Sequence, residues 1–327
     1  MNALRGLAFA FLCLLVSPIL YFAIILYTVH ILFVGRPRGI SGTAYEPFWS
    51  RLFLDELGLR EDRASAKLAP HLPALSPLII WCVSGLMCWA ARVSGYRGAI
   101  FTYPPEHPTS LLAMVNHRCE FFDRTLLEAV EQSEPAVKQV VTLGAGWDSR
   151  AYGDLKGKDV RFFEVDTPPT QAVKKAALRE GDVDAAHVTF VETDFNQRSW
   201  FDALQDHGFD PGLPTFILWE GVTMYLDEEA VRSTLRHVEK LAPGSRIAFD
   251  YLSRDLVFGE PPFLVIGKLF SGSIRLYYGE AFRFGISTRS PAHDRVSEFL
   301  KGSGLALAEH ETFGNKVPWG GLVLAIK

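Results

Sequence analysis

The stretch that decides the fold is 139–152, QVVTLGAGWDSRAY, in which a short apolar run leads directly into a glycine loop. Residues 139–143 predict a buried β-strand, and Gly144, Ala145 and Gly146 follow it at once. Four later runs of the same character are also predicted to be strands: 161–165 (RFFEV), 188–191 (VTFV), 215–219 (TFILW) and 246–251 (RIAFDY). Helical patterns separate these strands, at 170–179, 200–205 and 227–241.

Apolar strands that alternate with helices indicate an α/β protein with a parallel, doubly wound sheet, which is buried on both faces. Two further strand-like runs, 305–308 and 322–326, close the chain with no helical pattern between them. They are therefore predicted to pair antiparallel. Five parallel strands followed by a terminal antiparallel hairpin resemble the Rossmann-like layout of class I methyltransferases.

Composition excludes several classes of protein. The chain has 327 residues and a formal net charge of −4, so it lacks the global positive field expected of a nucleic-acid-binding protein. Hydrophobic residues make up 48% of the chain, which argues against a disordered protein. The four cysteines are scattered at positions 13, 82, 88 and 119 and form neither a disulfide framework nor a metal-ligand spacing, so no metal is expected.

The N-terminal segment 6–35 contains no Asp, Glu, Lys or Arg. A helix needs about 20 apolar residues to cross a bilayer, so residues 1–35 are predicted to form a single-pass membrane anchor. Arg5 precedes the segment, whereas Arg36, Arg38 and Arg51 follow it, and this bias favours a cytoplasmic location for the rest of the chain. A cleaved signal peptide and a helix buried against its own protein remain as alternatives.

A second uncharged run covers residues 72–91 and contains Pro73 and Pro77. The proline-free part is short for a membrane span. We interpret this run as an amphipathic or core helix that could reach the membrane interface.

The residues that follow each predicted strand are the candidate ligand-binding residues, because ligands of open parallel sheets bind at the carboxyl ends of the strands. Asp166 follows the second strand and lies 20 residues beyond Gly146. An acid in this position accepts hydrogen bonds from the ribose hydroxyls of an adenosine. The structural alternative is an acid that stabilises the start of the helix before Pro168.

The third and fourth strands also end in acids. Asp194 and Phe195 suit an adenine pocket, in which the Asp194 carboxylate accepts a hydrogen bond from the exocyclic amine and the Phe195 ring packs on the base. The structural alternative is that Asp194 caps a helix that begins near Ser199. Glu220, followed by Gly221, could bind the ammonium group of a methionine moiety, or it could stabilise the turn that follows.

These loops together resemble the leucine carboxyl methyltransferase family, in its bacterial-type S-adenosyl-L-methionine-dependent methyltransferase branch. The resemblance covers about residues 41–327 and is strongest over 118–251. It rests on the stretches 118–123 (RCEFFD), 141–152 (VTLGAGWDSRAY), 163–166 (FEVD), 220–226 (EGVTMYL) and 279–286 (GEAFRFGI). The chain departs from the family pattern at Trp147, usually a small apolar residue or Met, and at Ser149, usually Thr.

The resemblance implies S-adenosyl-L-methionine as the cofactor and Arg118 as the partner of its methionine carboxylate, which suits the bidentate geometry of a guanidinium. The predicted cofactor site comprises Arg118, Gly144, Ala145, Gly146, Asp166, Asp194, Phe195 and Glu220. Tyr225 and Arg283 are candidate residues for the substrate side, although Arg283 could equally support the fold. No catalytic residue is predicted.

The predicted organisation is a membrane anchor (1–35), a helical cap (36–115) and a methyltransferase domain (116–327) with an insertion at 252–304. The predicted reaction is methyl transfer to a carboxylate or hydroxyl oxygen of a small or lipid-like acceptor, at a membrane and without nucleic acid.

Two other functions stay open. One is an NAD(P)-dependent oxidoreductase, against which stand Ser149 at the third glycine position, Glu220 and the terminal strand pair. The other is a membrane protein that binds S-adenosyl-L-methionine without catalysis.

Overall fold

A computed structural model describes residues 2–98, 101–104, 111–153, 155–195, 198–314 and 317–327. The strands are β1 (Gln139–Leu143), β2 (Arg161–Asp166), β3 (Val188–Glu192), β4 (Thr215–Trp219), β5 (Arg246–Leu252), β6 (Ala306–Phe313) and β7 (Gly320–Ile326). The helices are α1 (Asn2–His30), α2 (Tyr45–Glu56), α3 (Arg63–Leu68), α4 (Pro77–Ile80), α5 (Leu86–Ser94), α6 (Leu111–Glu131), α7 (Pro168–Glu180), α8 (Trp200–Gln205), α9 (Glu228–Glu239), α10 (Arg254–Phe258), α11 (Leu264–Tyr278) and α12 (Ala292–Lys301).

The seven strands form one sheet in the order β3-β2-β1-β4-β5-β7-β6. Strands β1 to β5 are parallel, whereas β7 runs antiparallel to both β5 and β6. The predicted class I methyltransferase layout is therefore confirmed, including its terminal antiparallel pair. Both terminal strands are longer than predicted, because the pairing of β7 with β5 and β6 extends along the whole length of β7.

The central strands lie in the hydrophobic core. Every residue of β1 and of β4 is buried, as expected for strands that are covered by helices on both faces. Helix α9 presents Val231, Leu235 and Val238 to this core at the spacing of one helical face. Because the core fixes these strands, it also fixes the loops at their carboxyl ends.

The chain divides into two compact units. Unit 1 contains residues 1–120, 146–154 and 172–185, and unit 2, which holds the sheet, contains residues 121–145, 155–171 and 186–327. The chain passes from unit 2 to unit 1 directly after Ala145, inside the glycine loop. The linear boundaries at residues 35 and 115 stay predictions.

Unit 1 contains two long apolar helices. The first is α1, which continues through a π-helical turn (Ile31–Gly35) and a 3₁₀ turn (Arg36–Arg38), so that an apolar helical segment extends over Ala3–Arg38. The second, which we call the 77–94 helix, consists of α4, a π-helical turn at Trp81–Gly85 and α5. It begins at Pro77 because Ser76 accepts a hydrogen bond from the Ile79 amide and caps the first turn. By length and composition, each of the two could cross a membrane.

Candidate functional site

In unit 2 the carboxyl ends of β3, β2, β1 and β4 lie side by side along one edge of the sheet. At the end of β1, Gly144 adopts a φ of +68°, a left-handed conformation that favours glycine. The amides of Gly144 and Ala145 both donate to the carbonyl oxygen of Val165, at 2.8 and 3.1 Å. These bonds turn the loop sharply across the end of β2.

The tips of β1 and β4 are in contact. A Cβ atom placed on Gly144 would lie 2.5 Å from Cγ2 of Val222, in the loop that follows β4. Only glycine therefore fits here without movement of Val222. The close approach confirms that the β1 loop and the β4 loop share one edge of the sheet.

Asp166 is the last residue of β2 and is half-buried. One of its carboxylate oxygens, Oδ1, accepts a hydrogen bond from the Thr167 amide at 2.6 Å, which fixes the orientation of the side chain before α7 begins. Its main-chain oxygen accepts from the Thr193 amide at 2.9 Å. That bond brings the β2 tip next to the β3 tip, and Asp194 is the following residue.

Asp194 and Phe195 are both half-buried at the β3 tip. The carbonyl oxygen of Asp194 accepts from the Arg198 amide at 3.0 Å, and the Phe195 ring packs against the main hydrophobic core. Phe195 therefore also supports the fold, whatever its role toward a ligand.

Glu220 follows β4 and is half-buried, and a neighbouring acid shapes its loop. Gly221 has a φ of +71°, and its amide donates to Oδ1 of Asp250 at 2.6 Å. The Thr223 hydroxyl donates to the main-chain oxygen of Asp250 at 2.5 Å. Asp250 lies on β5 and is buried, so it anchors the turn that carries Glu220.

The two substrate-side candidates occupy different environments within unit 2. Tyr225 is half-buried, and its ring lies 5.3 Å from the ring of Phe282 in the insertion, which in turn lies 5.3 Å from Phe270. Arg283 has an exposed side chain that forms a 3.4 Å ion pair with Asp227. Tyr225, which closely follows Glu220 in the sequence, thus connects the Glu220 turn to the aromatic cluster with Phe282 and Phe270. The Arg283 guanidinium, in contrast, faces solvent.

Arg118 and Gly146, the remaining predicted cofactor-site residues, belong to unit 1. Arg118 is buried on α6, and Gly146 is buried with a φ of +41°. The structure thus brings the strand-tip candidates together in unit 2 and holds these two in unit 1.

Unit 1 holds the segment after Gly146 with buried charges. The Arg51 guanidinium on α2 donates to Oδ2 of Asp148 at 2.9 Å, and Arg150 forms a second ion pair with the same carboxylate. Burial raises the pKa of the Asp148 carboxyl, but the two guanidinium groups outweigh burial and hold this pKa well below its ordinary value. Asp148 is therefore ionised in the fold and fixes α2 to the 146–154 segment.

A second buried carboxylate, Asp62, holds the neighbouring hydroxyl group. The Ser149 hydroxyl donates to Oδ2 of Asp62 at 2.7 Å, while the Ser65 hydroxyl donates to Ser149 at 3.0 Å. Burial raises the pKa of Asp62, but Arg60 and Arg51 reverse that effect and leave the pKa lowered. The serine that replaces the usual threonine of the family thus keeps a hydroxyl contact.

Sequence reasoning did not identify Arg51, Asp62 or Asp250 as part of this region. The Arg51–Asp148 pair joins residues 97 positions apart, so neither hydrophobic periodicity nor a local motif shows it. The signal that was available is the pair of opposite charges, Asp148 and Arg150, directly after the glycine loop. Among the described residues, no group of His, Cys, Asp and Glu side chains could hold a metal ion.

The fold and the strand-tip loops define a methyltransferase-like α/β protein. Residues 102–239 match the family model described as leucine carboxyl methyltransferase, which confirms the resemblance seen in the motifs. A protein of Mycobacteroides abscessus named "Putative S-adenosyl-L-methionine-dependent methyltransferase" is 33% identical over 194 residues, which cover 56% of this chain and 60% of that protein. A Parafrankia protein with a name of the same kind is 39% identical over 134 residues, covering 41% and 42%.

The chain thus spans about half the length of the curated relatives that it matches. Among solved structures, magnesium protoporphyrin IX methyltransferase from Synechocystis is 14% identical with a TM-score of 0.43, over 68% of this chain and 90% of that one. A possible exported protein from Bordetella parapertussis is 16% identical with a TM-score of 0.44, and the match covers 95% of this chain and 96% of that one. Similarity at this level carries no argument about activity.

Proposed function

We propose that the protein is an S-adenosyl-L-methionine-dependent methyltransferase. The observation that carries the proposal is the set of three acids, Asp166, Asp194 and Glu220, at the carboxyl ends of β2, β3 and β4, three of the four parallel strands that lie side by side with β1 in the sheet. Three acids in this arrangement match three polar parts of one ligand, namely a ribose, an adenine amine and an ammonium group. The family match and the names of the relatives support the same conclusion.

Each residue has a defined part in this proposal. Asp166 accepts hydrogen bonds from the ribose hydroxyls, Asp194 accepts from the adenine amine, and Phe195 packs on the base. Glu220 pairs with the ammonium group, and the resemblance to the family implies Arg118 as the partner of the carboxylate. The left-handed Gly144 lets main chain approach the ligand closely, since a side chain there would meet Val222.

The cofactor supplies a methyl group that is already activated, because its leaving group is a neutral thioether. The protein then has to hold the acceptor oxygen in line with the methyl group and exclude water. A carboxylate acceptor is ionised at pH 7 and needs no base, whereas a hydroxyl acceptor requires one. O-methylation of a carboxylate therefore makes the smaller demand on the protein, since alignment and water exclusion suffice.

We further propose that the acceptor is lipophilic. Tyr225, which closely follows Glu220 in the sequence, forms an aromatic cluster with Phe282 and Phe270, and this cluster offers an apolar surface. Helix α11 in the same insertion leaves Val265, Leu269 and other apolar side chains exposed. The apolar α1 supports a membrane location for the protein, and the arginines that follow it support attachment to the anionic cytoplasmic leaflet.

The binding test is a calorimetric titration of the full chain with S-adenosylhomocysteine and, separately, with NAD. We expect binding of S-adenosylhomocysteine alone. Asp166→Ala should weaken it by about 10- to 100-fold, because hydrogen bonds to a charged group are lost. The matched control is Asp159→Ala, an exposed acid before the same strand. Binding of NAD alone would instead indicate the oxidoreductase.

The activity test is incubation with methyl-labelled S-adenosyl-L-methionine and a lipid-plus-metabolite extract, followed by mass identification of labelled products. A labelled carboxylic ester or ether that is absent with Asp166→Ala is expected. Binding of S-adenosylhomocysteine without any labelled product would indicate a non-catalytic binding protein.

A further inference from the structure

One face of α1 is at least partly buried within unit 1 from Gly6 to Tyr27. The covered positions recur every three or four residues, which is the spacing of a helical stripe. They are at least partly buried and comprise Gly6, Phe9, Cys13, Val16, Leu20, Ala23 and Tyr27. Helix α1 therefore does not project from unit 1 but lies against it.

Two aromatic contacts show how far this packing extends. Near the start of α1, the Phe9 ring stacks on the Tyr96 ring at 4.6 Å and meets the Phe101 ring edge-on at 5.2 Å. Eighteen residues later, the Tyr27 ring lies 5.9 Å from the Trp49 ring of α2. Eighteen residues of helix span about 27 Å, close to the thickness of a bilayer core.

This packing conflicts with a helix that crosses the bilayer. If α1 crossed, then α2, which contacts it, would have to enter the hydrocarbon too. Helix α2 carries Glu46, Arg51, Asp55 and Glu56, and Arg51 is ion-paired with Asp148. Charged side chains are costly inside a membrane, so α2 belongs outside it.

The 77–94 helix meets the same constraint. It packs beside α1 and also contacts α2, and Phe53 of α2 shares a hydrophobic cluster with Cys88 and Ala91 of this helix and with Phe9 of α1. At the end of the helix, Arg92 donates to Glu56 of α2. A crossing of this helix would therefore also draw the charged α2 into the hydrocarbon.

The outward faces of both helices are nevertheless apolar. On α1 the side chains of Leu4, Leu7, Phe11, Leu14, Leu15, Phe22 and Ile25 are each more than half exposed. On the 77–94 helix, Leu78, Trp81, Trp89 and Val93 are exposed. Continuous exposed apolar surface of this kind marks an interaction site, and tryptophan is favoured where a protein meets the membrane interface.

The charged side chains on these two helices and on the segments that flank them in the sequence are all basic. The sequence has no Asp or Glu in residues 1–45 or 63–105. Arg5, Arg36, Arg38 and Arg97 lie near the ends of the two helices, and all four are exposed. Cations that flank an apolar surface complement the anionic headgroups of a lipid leaflet.

We propose that α1 and the 77–94 helix form an in-plane membrane-binding face. In this arrangement their outward side chains enter one leaflet, while the flanking arginines meet anionic headgroups. The proposal replaces the single crossing that the sequence predicts, and it does not depend on the methyltransferase assignment. A second copy of the chain is a poorer occupant, because it would bring the same arginines to the face with no acid opposite them.

The first test is the sidedness of the two ends of α1 in the full chain. Single-cysteine variants Ala3→Cys and Arg38→Cys, in a background with Cys13, Cys82, Cys88 and Cys119 replaced, are expressed and isolated in membrane vesicles of one orientation. A membrane-impermeant maleimide should label both variants equally, either in intact vesicles or only after permeabilisation. Labelling of one variant before and the other only after permeabilisation would show a crossing and overturn the proposal.

The second test is flotation of the full chain with phosphatidylglycerol vesicles. Leu15→Glu places a charge on the outward face and should lower the fraction that floats by at least tenfold. The matched control is Leu127→Glu, an exposed apolar position in unit 2, which should float as the parent does. Unchanged flotation of Leu15→Glu, with a shift from dimer to monomer, would show that a second copy covers the face instead.

Discussion

Gly144 is subject to two constraints at once, a left-handed φ and a neighbour that leaves no room for a side chain. Gly157 shares the first constraint, with a φ of +87°, but nothing lies within 4 Å of the Cβ position. Substitutions at these two glycines therefore distinguish the cost of backbone strain alone from the added cost of a steric clash.

We expect Gly157→Ala to lower the free energy of unfolding by about 1 kcal/mol, from strain alone. Gly144→Ala should cost about 2–4 kcal/mol, because the Val222 methyl must also move. Urea denaturation of each variant measures the difference. The double variant Gly144→Ala with Val222→Ala should recover part of the loss, and equal effects at both glycines would refute the steric reading.

His310 provides a prediction about pH. Its ring Nε2 lies 2.8 Å from the hydroxyl of Tyr251, and burial, together with the nearby His293, lowers its pKa to about 4. An unfolded histidine titrates near 6.5, so between about pH 6.5 and 4 the unfolded chain binds a proton that the folded chain does not. The free energy of unfolding therefore falls as the pH is lowered through this window and levels off below it.

The unfolding free energy of the parent should fall between pH 7 and pH 4.5, and in His310→Gln this fall should be smaller by about 1–2 kcal/mol. The effect is limited to this size because solvent screens the partly exposed ring. Denaturation at both pH values checks this. A parent-like slope for His310→Gln would contradict the assignment.

At the scale of elements, the tie between α2 and the 146–154 segment rests on the buried Arg51–Asp148 pair. Arg51→Met removes one of the two buried guanidinium partners of Asp148 and leaves Arg150 paired with it, so this variant should lower the unfolding free energy by about 1–3 kcal/mol. Arg283→Met breaks the exposed pair with Asp227 and should cost at most about 1 kcal/mol.

Thermal and urea unfolding of these two variants provide the comparison. Because the pKa of Asp148 is lowered in the fold, its ionised carboxylate stabilises the folded state above the unfolded pKa near 4. This stabilisation is lost as the pH falls further. The gap between parent and Arg51→Met should therefore narrow in acid. A gap that is constant down to about pH 2 would show that packing, not charge, holds the segment.

At the scale of the whole molecule, charge is unevenly distributed along the sequence. Residues 1–45 and 63–105 carry seven basic and no acidic residues, so the rest of the chain has a net charge of −11 within a total of −4. The segments that contain the proposed membrane face are thus the ones that anionic lipids attract, while the remainder is repelled.

We expect the full chain to bind phosphatidylglycerol vesicles more tightly than phosphatidylcholine vesicles at 0.1 M salt, by roughly tenfold. Raising the salt to about 0.5 M shortens the screening length and should reduce this preference, but apolar insertion should keep the protein bound to both. Flotation at the two salt concentrations measures both quantities. Complete release by salt would indicate a purely electrostatic attachment and contradict insertion.

The sequence by itself determined the sheet and the positions of the strand-tip acids. Buried strands such as β1 and β4 are apolar runs bounded by turn residues, so local pattern sufficed to place them and to predict that Asp166 and Glu220 share an edge. The antiparallel ending followed from the missing helix between the last two strands. In each case the information lies within a few consecutive residues.

Only the tertiary structure decided which partners lie far apart in sequence and which face of a helix is covered. The Arg51–Asp148 pair and the support of the Glu220 turn by Asp250 join distant segments, which no local periodicity records. Helix α1 is apolar all round, so its sequence could not show that the stripe through Phe9 and Tyr27 packs on its own unit. Hydropathy measures the affinity of a segment for an apolar environment, whereas packing decides whether protein or lipid provides it.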